Sequence, residues 1–289
     1  MVNLPNAQPL PQALDTPAQR QQAAATALAC LDLTDLNTTS NEAAIDTLCH
    51  KARGLDGALP PVAAVCVWPR LVAHARQQLP LHVGVAAVVN FPSGQGGVDE
   101  VLAEVDLIAR SGGQEVDCVL PYQALCGAQA PASALAAARG LLLAVRQASP
   151  GLLLKVILET GELPSPERVA QLSELALACG ADFIKTSTGK TPQGASLPAA
   201  QAMLAVLQAR AQALPLGASA VLGFKPSGGL RTLADVWPYM QLTQQMLGSH
   251  AVNPRRFRVG ASSLWDELAA VLQGQTPVTP GAPAATSGY

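Results

Sequence analysis

The feature that most constrains the fold is a regular alternation of short apolar runs with longer amphipathic segments. Eight runs have the length and the continuous apolarity of parallel strands that are buried on both faces. We place these strands at Ala29–Leu33, Val62–Val67, Gly84–Val89, Glu115–Val119, Leu152–Leu158, Phe183–Ile184, Ala220–Phe224 and Arg256–Val259. Helical segments follow them near residues 41–53, 69–79, 98–111, 132–148, 165–179, 198–213, 232–247 and 262–273, and an extra helix over about 17–28 precedes the first strand.

This alternation predicts an α/β fold of one particular architecture, the (β/α)8 TIM barrel with an extra N-terminal helix. Eight strand–helix units in about 250 residues are typical of that barrel. The competing architecture is a doubly wound open sheet, which normally carries a glycine-rich dinucleotide-binding loop after its first strand. The segment Asp32–Asn37, which spans the end of the first predicted strand and the start of the loop after it, contains no glycine, so the barrel is favoured.

The domain organisation follows from composition. Hydrophobic residues make up 49% of the 289 residues, which is enough for a substantial core. We predict a single barrel domain over residues 16–274. The two ends, residues 1–15 and 275–289, are rich in Pro, Ala, Gly, Gln and Thr and predict flexible tails.

Several classes of partner are disfavoured by the sequence. The net charge of -2 and the lack of a basic run argue against nucleic acid and against an anionic membrane surface. The sequence shows no apolar stretch long enough to span a membrane and no signal-peptide pattern, so a cytoplasmic protein is expected. The six cysteines form no C-x-x-C pair and predict buried thiols. The four histidines are scattered, so neither a metal nor another cofactor is expected.

Two predicted strands lead directly into a lysine and a glycine-containing loop. Lys185 precedes the loop Thr186–Lys190, and Lys225 precedes the loop Pro226–Gly229. In a TIM barrel the carboxyl ends of the strands carry the chemistry. A lysine with its usual pKa of about 10.4 is only about 0.04% neutral at pH 7, but burial or a second cation lowers that pKa. One hypothesis is that one lysine forms a Schiff base and the other lowers its pKa. The alternative is that each lysine extends to solvent or pairs with a carboxylate.

Charged residues also occur inside two neighbouring predicted strands. Glu115 and Asp117 share one face of the fourth strand, so at least one of them points toward the barrel axis. Lys155 lies in the middle of the fifth strand, so we expect its side chain either to point into the barrel or to be unusually placed. Asp117 is then either an acid/base group that relays a proton or a structural partner of an internal lysine such as Lys155. The sequence leaves both interpretations open.

Further candidate site residues lie near strand ends and in the loops that follow. The predicted substrate contacts are Asp32, Thr34, Cys66, Lys155 and Thr188. For Cys66 the alternative is a buried, inert thiol. The predicted phosphate contacts are Gly189, Lys190, Gly228, Gly229, Gly260, Ser262 and Ser263. Glycines let backbone N–H groups approach an anion, and a helix beginning at Ser262 would point its positive end at that anion.

Together these motifs resemble the deoxyribose-phosphate aldolases, a family of class I (Schiff-base) aldolases. The resemblance extends from about Leu31 to Leu272. It rests on the segments Leu31–Thr34, Val65–Arg70, Val89–Gly94, Glu115–Asp117, Leu154–Gly161, Gly180–Lys190, Gly223–Pro226 and Gly260–Ser263. The segments around Lys185 and Lys225 are specific to this family rather than general to barrels.

The resemblance implies reversible cleavage of 2-deoxy-D-ribose 5-phosphate to acetaldehyde and D-glyceraldehyde 3-phosphate. It implies that Lys185 forms the imine, that Lys225 tunes it and assists proton transfer, and that Asp117 takes part in the relay. It further implies that Lys190 and the glycine–serine turns hold the phosphate. No cofactor is expected, because the iminium ion serves as the electron sink that a metal supplies in other aldolases.

Two other functions remain open from the sequence: a different Schiff-base aldolase acting on a ketose phosphate, and a non-catalytic barrel that binds sugar phosphates. Ser227 stands where a small residue is usual in the family, and we expect this to change little. The chain ends in Tyr289, and we hypothesise that a flexible tail carries its phenol toward the site. Exposed apolar helix faces in an alanine-rich barrel suggest a homodimer.

Overall fold

The computed structural model describes residues 13–127, 129–213 and 222–275. The strands are β1 Leu31–Thr34, β2 Ala64–Val67, β3 Gly84–Val89, β4 Glu115–Val119, β5 Leu153–Ile157, β6 Phe183–Lys185, β7 Gly223–Lys225 and β8 Val259–Ala261. The helices are α1 Pro17–Ala29, α2 Glu42–Ala52, α3 Gly54–Gly57, α4 Val72–Gln78, α5 Val98–Arg110, α6 Ala132–Ala148, α7 Pro166–Ala178, α8 Leu197–Ala213, α9 Leu233–Leu247 and α10 Leu264–Leu272.

Within the described residues, eight strands form one parallel sheet that closes on itself. Their order is β7-β6-β5-β4-β3-β2-β1-β8, so β7 and β8 lie at its two edges. Phe224 of β7 accepts a backbone hydrogen bond from Arg258 at 3.0 Å and donates one to Arg256 at 2.9 Å. Gly260 of β8 donates to Pro226 at 3.0 Å. The predicted (β/α)8 barrel is confirmed, and so is the extra helix α1 ahead of the first strand.

Strand and helix boundaries differ from the prediction mainly near the carboxyl end of the chain. The eighth strand was expected at Arg256–Val259 but is Val259–Ala261, because Phe257 pairs with β7 only as an isolated bridge. The last helix was expected to begin at Ser262 but begins at Leu264. Conversely, Lys185 and Lys225 are themselves the final residues of β6 and β7, since both pair within the sheet.

The apolar core lies between the sheet and the surrounding helices. In β5, Leu154 and Val156 belong to this core, whereas Lys155 between them points into the barrel and is fully buried. Of the two placements expected for Lys155, the inward orientation is therefore confirmed. The barrel thus separates an apolar outer layer from an interior that contains charged groups.

Part of the predicted organisation lies beyond the described residues. The tails predicted at residues 1–15 and 275–289 are almost entirely outside them, and Tyr289 is outside them altogether. None of the helices within the described ranges is long and apolar enough to cross a membrane.

Candidate active site

Seven charged side chains, counted among the described residues, meet inside the barrel, and we call them the interior cluster. They are the carboxylates Asp32, Glu115 and Asp117 and the cations Lys155, Lys185, Lys225 and Arg258. All seven are buried. Because an unpaired buried charge is strongly destabilising, their pairing decides which of them is free to react.

Asp117 is the centre of the interior cluster. It accepts hydrogen bonds from the ammonium groups of three lysines: Lys155 at 2.7 Å, Lys185 at 2.9 Å and Lys225 at 2.7 Å. Burial alone would raise the pKa of Asp117, but the three ammonium groups hold it well below its usual range. The sequence left two interpretations of Asp117 open, and its contacts fit both. The contact with Lys155 fits a structural partner, and the contacts with Lys185 and Lys225 fit a group that relays a proton between them.

A second set of contacts lies on the side of the cluster toward the amino ends of the strands. Asp32 accepts from Lys225 at 2.5 Å and from Arg258 at 2.6 Å. Glu115 accepts from Arg258 at 2.9 Å and lies 2.5 Å from the ammonium group of Lys155. Arg258 was not predicted as a site residue. The signal that could have found it is an arginine inside the apolar run Phe257–Val259.

The charges of the interior cluster balance only if one cation loses its proton, because three carboxylates face four cations. Burial, and then the ammonium group of Lys225, lower the pKa of Lys185 against the opposing effect of Asp117. Burial would also lower the pKa of Lys225, but Asp117 and Asp32 outweigh it and raise that pKa. Lys185 is therefore the amine that most readily becomes neutral and nucleophilic.

A cavity of about 260 Å³ opens at the carboxyl ends of the strands, and Lys185 reaches it. All seven predicted phosphate contacts line this cavity: Gly189, Lys190, Gly228, Gly229, Gly260, Ser262 and Ser263. Of the predicted substrate contacts, Thr34 and Thr188 line it. Asp32, Cys66 and Lys155 lie fully buried in the barrel interior. The structure thus brings the predicted residues together as two adjoining sets.

Glycines shape the wall of the cavity in two ways. Gly228 and Gly229 have φ values of +87° and +82°, in the left-handed region that other residues rarely adopt. A side chain at Gly260 would come within 2.8 Å of the Cβ atom of Ser227 and 3.1 Å of the Cε atom of Lys225. Gly260 therefore leaves the space through which Lys225 extends toward Asp117.

The cavity rim is completed by residues on three loops. The ammonium group of Lys190 donates to the carbonyl of Leu36 at 3.3 Å, which links the loop after β6 to the loop after β1. Ser263 precedes α10 and makes no side-chain capping bond to it. Cavity-lining residues that the sequence did not single out are Leu36, Asn37, Leu230, Arg231 and Ala261. Arg231 carries no motif signal, since only the path of the loop after β7 brings it to the rim.

The comparisons with known proteins agree with this geometry. A family model described as DeoC/LacD family aldolase matches residues 26–241, which contain β1 to β7 and both Lys185 and Lys225. The chain belongs to the DeoC/LacD aldolase family. It is also 39% identical over 272 residues to the deoxyribose-phosphate aldolase of Agrobacterium fabrum, covering 93% of this chain and 97% of that protein.

Solved structures resemble this DeoC/LacD aldolase in fold. A protein from Toxoplasma gondii matches with a TM-score of 0.80 at 22% identity, covering 91% of this chain and 98% of that one. The deoxyribose phosphate aldolase of Aeropyrum pernix, described as tetrameric, matches with a TM-score of 0.64 at 21% identity. It covers 90% of this chain and 98% of that one.

Cys66 of this aldolase lies at the carboxyl-terminal half of β2, beside the interior cluster. It is fully buried, and burial raises the pKa of its thiol to about 11. A thiol with that pKa stays protonated near neutrality and is a poor nucleophile. Its contact with a substrate remains a prediction. Among the described residues, no group of three or more His, Cys, Asp or Glu side chains could hold a metal ion.

Proposed function

We propose that this aldolase cleaves 2-deoxy-D-ribose 5-phosphate reversibly to acetaldehyde and D-glyceraldehyde 3-phosphate through an imine on Lys185. The observation that carries the proposal is a buried lysine of lowered pKa at a cavity whose rim is rich in glycine and serine. The name of the Agrobacterium fabrum relative supports the choice of substrate. The ammonium group of Lys190 on the same rim supports a phosphorylated one.

The first half of the proposed reaction forms the imine. The neutral amine of Lys185 attacks the aldehyde carbon of the open-chain sugar, and the resulting carbinolamine loses water to give an iminium ion. The departing hydroxyl needs a proton. Asp117 contacts both Lys185 and Lys225, so a proton held by the Lys225 ammonium has a short route to the reacting nitrogen or oxygen.

The second half breaks the carbon–carbon bond. The hydroxyl on C3 of the sugar loses its proton, the C2–C3 bond breaks, and its electron pair moves to the iminium nitrogen. This releases D-glyceraldehyde 3-phosphate and leaves an enamine. Protonation of the enamine carbon regenerates an iminium ion, and water then hydrolyses it to acetaldehyde and the free amine of Lys185. Lys225 and Asp117 carry these protons in our proposal.

The phosphate would lie at the rim, away from the interior cluster. Gly189, Lys190 and the turn at Gly228–Gly229 line one part of the cavity, and Ser262 and Ser263 line another. The hydroxyls stand at the amino end of α10, where the helix dipole favours an anion. This arrangement separates phosphate binding from imine chemistry.

Borohydride trapping tests the proposal. The enzyme is incubated with acetaldehyde and borohydride, and the modified lysine is identified by peptide mass spectrometry. We expect N-ethyl-lysine at position 185, no adduct in Lys185→Ala, and an unchanged adduct in Lys51→Ala, a surface variant on α2. A folded enzyme that yields no adduct at Lys185 contradicts the imine mechanism. Trapping with a ketose phosphate but not with acetaldehyde favours the alternative aldolase.

We extend the proposal to the setting of the enzyme. Its six cysteines are free thiols, which supports a reducing compartment such as the cytoplasm. The likeness to a deoxyribose-phosphate aldolase supports a role in deoxyribonucleoside breakdown. The single catalytic domain over residues 16–274 and the homodimer are also proposals. Limited proteolysis and the molecular mass in solution test them.

A further inference from the structure

One buried carboxylate near the cavity has no part in the reaction proposed above. Glu159 lies two residues after the end of β5, is 0% exposed and has a left-handed backbone with φ 54° and ψ 59°. Such a conformation is costly for a residue other than glycine and persists only where the surroundings fix it. The side chain of Glu159 is therefore held in place by specific contacts.

Those contacts all lead to the loop after β6. The hydroxyl of Thr188 donates to Glu159 at 2.5 Å, and the backbone N–H of Thr188 donates at 3.1 Å. The hydroxyl of Thr191 donates to the second carboxylate oxygen at 3.2 Å. These described donors are neutral. The buried carboxylate therefore stabilises one turn through hydrogen bonds from neutral groups rather than through an ion pair with them.

The turn that Glu159 holds carries two of the predicted phosphate contacts. Gly189 and Lys190 lie between Thr188 and Thr191, and both line the cavity. The backbone N–H of Lys190 donates to the hydroxyl of Thr188 at 3.0 Å, so the same hydroxyl ties Glu159 to the backbone of Lys190. The position of the Lys190 side chain at the rim thus depends on a chain of two hydrogen bonds that begins at Glu159.

We propose that Glu159 is a positioning residue that fixes the Thr188–Thr191 turn in the geometry that binds the substrate phosphate. The inference rests on the proposed function, because it assigns the phosphate to this turn. A simple charge effect has the opposite sign. A carboxylate near the cavity repels a phosphate dianion, so removing its charge alone would strengthen binding, whereas losing the turn geometry weakens it.

The test is Glu159→Gln, which keeps the size of the side chain but replaces one acceptor oxygen by an NH2 group. The glutamine therefore cannot accept hydrogen bonds from the two donors of Thr188 on one atom and from Thr191 on the other. We expect KM for 2-deoxy-D-ribose 5-phosphate to rise about tenfold, with kcat changed by less than about threefold. The rate of borohydride trapping with acetaldehyde, which has no phosphate, is expected to stay within about twofold. The matched control is Glu162→Gln, an exposed glutamate three residues further along, which should leave both readouts unchanged.

Three results overturn the inference: an unchanged KM, a lowered KM, or an equal loss with both substrates. If Glu159→Gln does not fold, Thr191→Val removes the 3.2 Å contact with Glu159 and the 3.3 Å contact with the carbonyl of Gln193, leaves both donors of Thr188 in place, and should raise KM for the phosphate ester about threefold. An unchanged KM in that variant also counts against the inference. Failure of the proposed function is distinguishable, because the unaltered enzyme would then form no adduct with acetaldehyde.

Discussion

The interior of the barrel and its mouth differ in the kind of group that each uses. In the interior cluster, charged side chains contact one another at 2.5–3.5 Å and are buried. At the mouth, the cavity is lined largely by glycine, serine and threonine residues, with Lys190 and Arg231 as cations at the rim. We infer that the interior sets the protonation state of Lys185 and that the mouth recognises the phosphate.

This difference determines which measured properties of the enzyme a substitution changes. Charges buried together interact through a low effective dielectric, so changing one of them shifts the pKa of its neighbours. Groups at the mouth face water, where salt largely screens the interaction between charges that are more than about 10 Å apart. Interior substitutions should therefore change pH profiles and stability, and mouth substitutions should change KM for the phosphate ester.

The largest effect is expected from Lys225→Met, because this substitution removes both a charge of the interior cluster and a group that carries protons in the proposed reaction. Without Lys225, three carboxylates face three cations when Lys185 is protonated, so the pKa of Lys185 should rise. Since the neutral amine reacts, the acidic limb of kcat/KM against pH should move to higher pH. Each pH unit by which the limb moves should cost about tenfold in kcat/KM at neutral pH. Asp32 and Asp117 also lose a partner, which should lower the free energy of unfolding by about 3–5 kcal/mol.

The opposite displacement is expected from Asp117→Asn. Asp117 raises the pKa of Lys185, so removing its charge should lower that pKa further and move the acidic limb to lower pH. Maximal kcat should still fall, by about 10²–10⁴-fold, because the proton link to Lys225 is lost. The measurement is the same pH profile. Limbs that move in the same direction for the two variants would show that charge balance does not control Lys185.

Acid stability tests the pairing of Asp32. Burial would raise the pKa of Asp32, but Lys225 and Arg258 hold it below its unfolded value of about 3.9. Its stabilisation is therefore present above about pH 4 and is lost as the pH falls below that value, by up to about 1.4 kcal/mol per pH unit. Urea unfolding between pH 6 and pH 3 should show a shallower pH dependence in Asp32→Asn. The control Asp99→Asn, exposed on α5, should retain the slope of the unaltered enzyme.

The contrast between interior and mouth also explains what the sequence could predict. Continuous apolar runs identify buried parallel strands, and a lysine in the middle of such a run, as at Lys155, indicates an inward charge. The role of Arg258 could not be predicted, because its partners Glu115 and Asp32 are 143 and 226 residues away in the chain. Which of them it meets depends on the stagger of strands around the closed barrel.

At the mouth, what the sequence could predict is limited by local ambiguity in the loops. Glycine and serine pairs mark the loops, and all seven predicted phosphate contacts line one cavity. The start of α10 was predicted two residues early, because serines at 262 and 263 are common helix-capping residues and their turn cannot be told from helix by composition. The tie from Glu159 to Thr188 was missed, since it joins loops after two different strands.

A mouth substitution of intermediate effect is Lys190→Ala. Loss of one cation at the rim should raise KM for 2-deoxy-D-ribose 5-phosphate about tenfold and leave the free energy of unfolding within about 0.5 kcal/mol. Cleavage of unphosphorylated 2-deoxy-D-ribose should be unaffected. A comparable loss with both sugars, or a displaced acidic limb of the pH profile, would place Lys190 with the interior cluster instead.

The smallest effect is expected at Ser227, which lies on the boundary between the two regions. Its hydroxyl donates to the carbonyl of Ser187 at 2.5 Å, and its N–H donates to the hydroxyl of Thr186 at 2.9 Å, so it joins the loops after β6 and β7. Ser227→Ala removes the bond that the hydroxyl donates to the carbonyl of Ser187 and the 3.4 Å bond that it accepts from the N–H of Ser187, and should cost about 1 kcal/mol of unfolding free energy. The backbone contact remains, so both loops should keep their positions.

KM and the pH profile distinguish what Ser227 does beyond this join. If it only connects the loops, KM for the phosphate ester should stay within about twofold and the acidic limb should not move. A tenfold rise in KM would make its hydroxyl part of phosphate recognition, since Ser227 lines the cavity. A displaced limb would mean that the loop joint also holds Lys225, two residues earlier, against Asp117. The residues that control the protonation state of Lys185 would then extend from the interior cluster up to the cavity rim, where the phosphate is recognised.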